Sequence, residues 1–379
     1  MDNQAALVAK CNGAQEVLYV ALELSASSWR VAMTVDRASN PRIVTVPAGD
    51  QAAFERQLSR GRERFGLSAS ALVVSCYEAG RDGFWVHRYL EKLGVANVVV
   101  DPSSLEVSRR KRRAKTDRLD AAMLLRQLVR LCDGERVWRV VRVPSVEDED
   151  RRHLHRQLAV LKRDRTQVSN RITSLLATQG VRVKVGRALV GSLEQVCIWD
   201  GSPLPEQLRE RLEMEVGRWQ TLSEQIEELK RQRRAWLKES REPWAEKSRR
   251  LARLRGVGEE SSWLLVMEAF GYRCFANRRQ VGSYSGLVPT PYDSGASSRE
   301  QGISKAGNAR LRSILIELSW SWLRYQPDSE ISHWFQQRFG AGGKRSRRIG
   351  IVAVARRLFI ALWRYLEHGV LPEGALLKN

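Results

Sequence analysis

Apolar residues fall into short alternating or continuous blocks over the first hundred positions and into long helical stripes further on. The blocks "EVLYVALELS", "WRVAMTVD" and "RIVTVPA" are separated by brief turn-like stretches and predict a meander of three strands. A helix follows near residues 51–65. "ALVVSCYEA" then reads as a buried strand from its continuous apolar run, "GFWVHRYLEKLG" has helical spacing, and "VANVVVDP" is a further strand ended by proline. Residues 145–180 and 205–238 predict two long helices. Leu154, Leu158, Leu161, Val168, Ile172 and Leu175 recur at three, four or seven in the first, and Leu208, Leu212, Trp219, Leu222, Ile226, Leu229 and Trp236 do so in the second. These seams can pack against each other within one chain or form a coiled-coil contact between chains. Between them "VGSLEQVCIWDGSPLP" is a loop-rich break, with Pro203 and Pro205 marking entry to the second helix.

From residue 249, "RRLARLRGVGEESSWLLVMEAFG" reads as helix, Gly-Val-Gly turn, helix. A helix-hairpin-helix element has this pattern and brings backbone amides up to phosphate, although two helices joined by a glycine turn are more often plain architecture. The expected organisation is an α/β domain of the RNase H or RuvC-like kind over residues 14–135, a long helical, coiled-coil-like connector over 145–240, and a mainly α C-terminal domain with a helix-hairpin-helix-like element over 248–370.

Composition changes this picture by naming a partner. The chain has 379 residues with 64 Lys and Arg against 43 Asp and Glu, a net charge of +21, so a polyanion, foremost nucleic acid, is expected. Residues 1–100 hold 11 basic and 10 acidic side chains, which leaves about +20 for the rest of the chain. No apolar run reaches membrane-span length and the N-terminus lacks a secretory pattern, so a cytoplasmic, nucleoid-associated prokaryotic protein without a membrane partner is expected. Five scattered cysteines include no CxxC, and the only closely spaced histidines are His153 and His155. The thiols are expected to be reduced and structural, with no zinc site.

Candidate chemistry concentrates in "RRKRRAKTDRLDAA". Arg109, Arg110, Lys111, Arg112, Arg113 and Lys115 precede Asp117 and Asp120, which share one face at the start of a helix. The strip can be a solvated helix face with offsetting charges, or a phosphate-binding run that holds a backbone beside the acids. Glu23 lies near the end of the first strand and Glu78 at the end of the fourth. Acids at such places often serve as caps, but four carboxylates converging would suit hard cations that want oxygen ligands.

The series "VALELSASSW", "SCYEAGRDG" and "VVVDPSSLEVSRRKRRAKTDRLDAAMLL" resembles the DEDD domain of the insertion-sequence 110 family of transposases. In that family an acid on the first strand, a Glu in an E-A-x-G block and a K-T-D-x-x-D-A block form the metal site. The first acid is usually Asp, and this chain departs from the pattern with Glu23, a carboxylate one methylene longer. "RCFANRRQVGSYSGLVPTPYDSGASSREQGISKAGNARLRSILIELSW" resembles the family's C-terminal domain, so the likeness covers roughly residues 16–130 and 249–325. It implies that Glu23, Glu78, Asp117 and Asp120 hold Mg2+ or Mn2+, and that Ser294, at the S-G pair of an exposed mobile turn, is the nucleophile, with Ser297 and Ser298 as fallbacks.

Lys305, Asn308, Arg310 and Arg312, at a helix start, are expected to meet a nucleic-acid backbone, as are Lys344, Arg345, Arg347 and Arg348; Arg356 and Arg357 read as solvated positions of a core helix. The resemblance further implies a recombinase that forms a covalent protein–DNA intermediate with donor and target DNA, guided by a structured bridge RNA. A homo-oligomer, dimer or tetramer, is expected. Two alternatives stand beside it: a metal-dependent hydrolytic nuclease that leaves Ser294 idle, and a non-catalytic nucleic-acid-binding protein that uses only its basic surface.

Overall fold

The first of the predicted blocks is preceded by a helix that the sequence pattern did not announce, α1 (Asn3–Gly13), whose Leu7 and Cys11 are buried. The blocks themselves are the strands β1 (Val17–Leu24), β2 (Ser28–Thr34) and β3 (Arg42–Pro47). They are followed by α2 (Gln51–Phe65), β4 (Leu72–Glu78), α3 (Trp85–Lys92), β5 (Ala96–Val100) and α4 (Asp117–Cys132). The computed structural model describes residues 3–80, 82–105, 117–294 and 297–378; the side chains of 3, 4, 117, 118 and 291–301 lie outside that description.

The five strands form one mixed sheet in the order β3-β2-β1-β4-β5. The first three are antiparallel, as a meander must be, while β4 and β5 join parallel to β1 through the helical crossovers α2 and α3. Alternation sorts the side chains onto two faces. Leu18, Val20 and Leu22 of β1, with Val73 and Tyr77 of β4, pack against Phe54, Leu58, Val86 and Leu90 of α2 and α3. Tyr19 and Ala21, with Val74 and Cys76, pack instead against α1 and against Leu124, Leu125 and Leu128 of α4. Inside the sheet, the buried Ser75 hydroxyl donates to Asn97 Oδ1 at 2.8 Å, which offsets the cost of burying polar groups between β4 and β5.

The chain divides into two compact units, 1–143 and 144–379. The second begins with α5 (Val146–Ala177), followed by α6 (Arg187–Ser192) and α7 (Glu206–Glu239). The expected break between the long helices holds, in addition to loop, the second half of α6 and a turn of 3-10 helix over Leu193–Gln195. The two predicted seams meet within the chain: Leu158 and Leu161 pack on Ile226, and Val168 and Ile172 share a cluster with Leu212 and Val216. Arg171 and Arg218 both pair with the nearly buried Glu215, at 2.9 and 2.8 Å, and the Trp219 indole donates to Ser169 at 3.1 Å, which fixes the register of the pair.

Beyond them lie α8 (Pro243–Ala252), α9 (Glu259–Leu265), a π-helical turn over Val266–Phe270, α10 (Arg278–Tyr284), β6 (Pro289–Ser294), β7 (Ser297–Ile303), α11 (Ala309–Tyr325), α12 (Glu330–Phe335) and α13 (Lys344–His368). Their core is built on Trp263, Phe270, Trp322 and Phe359, and Leu154 of α5 belongs to it. The Gly-Val-Gly stretch does join two helices, α8 and α9. Gly256 there has φ +81°, a conformation that favours glycine, and its carbonyl accepts from Ser321 of α11 at 2.7 Å. No helix among the described residues is long and apolar enough to cross a membrane.

Candidate functional site

Two predicted acids sit at equivalent levels on neighbouring strands. In the parallel pairing of β1 with β4, Leu22 lies opposite Tyr77, so the next step brings Glu23 level with Glu78. Both continue the rows that face α4, Glu23 after Tyr19 and Ala21, Glu78 after Val74 and Cys76. The direction of α4 brings its first turn to the same end. Its last residue, Cys132, meets Cys11 at 2.7 Å and joins the cluster of Tyr19 near the start of β1, whereas the Leu124 carbonyl lies 3.9 Å from Cys76 Sγ near the end of β4. The helix therefore runs antiparallel to these strands, and Asp120, one turn before Leu124, lies at the strand ends. Glu23, Glu78 and Asp120 are all half-buried. Asp117 opens the same turn, and its side chain lies outside the described ones. Carboxylates in a first helical turn also gain from the positive end of the helix dipole.

All these donors are oxygen, the ligand type that Mg2+ and Mn2+ take. Among the described side chains, which do not include that of Asp117, no three His, Cys, Asp or Glu are grouped as ligands of one ion. His153 and His155 do not form a pair: two residues apart on α5, they point to different sides, His153 exposed and His155 buried.

The basic strip Arg109, Arg110, Lys111, Arg112, Arg113 and Lys115 lies outside the described residues. In the second unit, Lys305 and Arg310 are exposed before and at the start of α11, and Lys344, Arg345, Arg347 and Arg348 are exposed in the first turns of α13. None of them has an ion-pair partner among the described residues, so their charge is available to an anion. Asn308 has other duties. Its Oδ1 caps α11 by accepting from Arg310 and Leu311 amides at 3.0 and 3.2 Å, and its Nδ2 donates to Glu268 at 2.8 Å.

Ser294, expected on a turn, is placed by its backbone at the end of a strand. It is the last residue of β6, paired with Ser297 of β7 in an antiparallel hairpin, and Asp293 pairs with Ser298. The pattern did not reveal these strands because "PTPYDS" and "SSREQGI" lack β-branched alternation, and the pairing relies on backbone hydrogen bonds with an irregularity between Pro289 and Pro291. The hairpin's root is clamped where residues 284–288 cross residues 303–308. The Ser304 amide donates to Val288 at 2.8 Å and that of Lys305 to Gly286 at 3.1 Å. Gly307, at φ +105°, lies so close to the Tyr284 carbonyl that a Cβ would strike it.

A residue without any spacing signal ties this root down. Glu268, 1% exposed in the π-helical turn, accepts from His155 Nε2 at 2.8 Å, from Arg156 at 3.1 and 3.2 Å and from Asn308 at 2.8 Å, while its carbonyl accepts from the Tyr284 hydroxyl at 2.8 Å. Burial by itself would raise its pKa; the hydrogen bonds from His155 and Arg156, with the Arg156 charge, outweigh that and bring it to about 2. The buried carboxylate thus joins α5 to the Asn308 end of the hairpin's root, and the backbone carbonyl of the same residue holds the Tyr284 end. The only trace in the sequence is a lone acid inside the apolar run "WLLVMEAFG".

Comparison with known proteins covers both units. The model of the transposase family IS116/IS110/IS902 matches residues 248–333, a span that holds Glu268, Ser294 and Asn308. A putative transposase, y4rJ of Sinorhizobium fredii, is 39% identical over 378 residues, covering 96% of this chain and 95% of its own length. A probable family 20 transposase of Pseudomonas aeruginosa is 28% identical over 82% of this chain and 89% of its own. The transposase for insertion sequence element IS1328 of Yersinia enterocolitica is 27% identical over 60% of this chain and 66% of its own.

Proposed function

Because the chain belongs to the IS116/IS110/IS902 family of transposases, and so works in DNA recombination, we propose that it cuts and rejoins DNA by metal-assisted attack of Ser294 on a phosphate. Glu23, Glu78, Asp117 and Asp120 would hold Mg2+ or Mn2+. The ion would supply Lewis-acid stabilisation of the negative charge that builds on the phosphate oxygens. The Ser294 oxygen forms a bond to phosphorus as the bridging bond to the departing strand breaks, and the departing oxygen ends as a hydroxyl with the serine's proton. The energy of the phosphodiester is kept in the protein–DNA bond, so an incoming strand's hydroxyl can reverse the step and rejoin DNA without another energy source. In this reading a structured guide RNA shares the positive surface with donor and target DNA, and the protein acts as a dimer or tetramer.

The observation that carries the reading is the common level and common face of Glu23 and Glu78, with the first turn of α4 at the same strand ends. The strand order and the antiparallel course of α4 support an RNase H or RuvC-like reading of the first unit. The test is Asp120→Asn and Glu78→Gln in a Mg2+-dependent strand-cleavage assay. Each variant is expected to lose cleavage by at least about 100-fold, the scale of losing transition-state charge stabilisation, with DNA affinity within about threefold of wild type. Full cleavage by Asp120→Asn would remove the acids from the mechanism. A hydrolytic nuclease is the competing reading, because the four acids all belong to the first unit and need no serine if water attacks.

A further inference from the structure

A groove of about 490 Å3 opens between α11 and α13 at the root of the β6–β7 hairpin, within the roughly 300–1,000 Å3 range of small-molecule sites. Its lining is apolar at Leu287 and Ile303, which flank the hairpin, and at Ile316. Trp320 also lines it and is 45% exposed, a large ring left partly in water. Arg348, exposed, and Arg312, half-buried with Nη1 donating to the Ser285 carbonyl at 3.3 Å, are the groove's two cations. Arg312, Ile316 and Trp320 follow at four-residue steps along α11 and so share one stripe. Arg310 lies near one end of that stripe, and Lys344, Arg345 and Arg347 precede Arg348 on α13; none of these cations has an ion-pair partner among the described residues.

Charge decides between possible occupants. A second copy docking this face across a twofold axis would set the same cations against each other, which is repulsive. An apolar helix of another protein would fill the floor and leave the arginines without counter-charge. A nucleotide of a single strand has both properties at once, a π face for an aromatic side chain and anionic phosphates for arginine. We propose that this groove takes one unstacked nucleobase of a DNA strand, stacked on Trp320, with Arg312 and Arg348 at the flanking phosphates. Ser294 stands roughly 17 Å along β6 from the groove, five residues beyond Pro289 at about 3.4 Å each, so a base held here would anchor the strand a short distance from the hairpin's tip. The inference rests on the family's handling of DNA and uses neither Ser294 nor the acids.

Fluorescence anisotropy with a short labelled single-stranded DNA measures it, using full-length wild type, Trp320→Ala, Trp320→Leu and Trp320→Phe, each checked for an unchanged melting profile. Trp320→Ala and Trp320→Leu are expected to bind at least about fivefold more weakly, as loss of one base–aromatic stack does, while Trp320→Phe stays within about twofold. The slope of affinity against salt stays the same because no phosphate contact is removed. An oligonucleotide with one abasic position, moved along its length, reproduces the loss at one register in wild type and adds nothing further in Trp320→Ala. Several results would overturn the proposal: equal affinity of Trp320→Ala and wild type, an equal loss on fully paired duplex, Trp320 dependence for an RNA oligonucleotide but not for DNA, or a wild-type dimer that Trp320→Ala converts to monomer. Strand cleavage that persists beside any of these leaves the function proposed above standing, so the two failures are distinguishable.

Discussion

Glu268 shows what a single buried charge does in this protein. Its carboxylate is held by His155, Arg156 and Asn308, residues far apart in the chain, which is why no local pattern could reveal it. The strand-end acids differ: Glu23 and Glu78 were legible because a strand's end is read from where its apolar run stops. With a folded pKa of about 2 against an ordinary 4.5, Glu268 contributes stability that is fully present above pH 4.5 and is lost as pH falls toward 2. The contribution is on the order of 3 kcal/mol, in keeping with the cost of breaking a buried pair. Glu268→Gln is therefore expected to lower the urea midpoint clearly at pH 7, and its deficit relative to wild type should shrink as pH is lowered from about 4.5. Urea melts at several pH values check this, and a deficit that does not change with pH would mean that charge is not what the site uses.

At the scale of elements, the first strands were legible from short alternating or apolar blocks, β4 and β5 from continuous apolar runs bounded by turns, and the two long helices from a period near three and a half. The hairpin of β6 and β7 was not, because prolines, serines and charged residues give it no apolar alternation; its strands are defined by backbone pairing and by the glycine crossing at the root. Helix α1 escaped notice for a related reason, since among its described side chains only Leu7 and Cys11 enter the core. The seams of α5 and α7 left open whether they pack within or between chains; the clusters of Leu158, Leu161 and Ile226, and of Ile172 and Leu212, are met within one chain. Gly307→Ala tests the crossing. A methyl group there meets the Tyr284 carbonyl in a backbone conformation that favours glycine, so a loss of roughly 1–3 kcal/mol is expected. Amide hydrogen exchange should rise in β6 and β7 more than in α13, and uniform protection across the hairpin would show that the crossing does not set its position.

At the scale of the molecule, the distribution of charge and chemistry follows the division of the chain. The first hundred residues are nearly neutral and carry Glu23 and Glu78, while the excess of about +20 lies beyond them, in the strip before Asp117 and in the second unit. Ser294 belongs to the second unit and the acids to the first, so the proposed displacement draws on both. Sequence could reach this far because motifs at strand ends and helix starts are local. It could not reach Glu268 or the groove beside Trp320, which exist only once distant segments pack. Covalent joining of Ser294 to DNA is the step on which the proposed mechanism turns. It is tested by denaturing gel electrophoresis of labelled DNA from the element's end, incubated with protein, Mg2+ and RNA transcribed from the flanking sequence. Wild type should give a protein-sized shift that survives denaturant, and Ser294→Ala, costing no more than about 0.5 kcal/mol in stability, should give none while still binding DNA. Cleavage by wild type with no such shift, or a shift that persists in Ser294→Ala, would contradict the account.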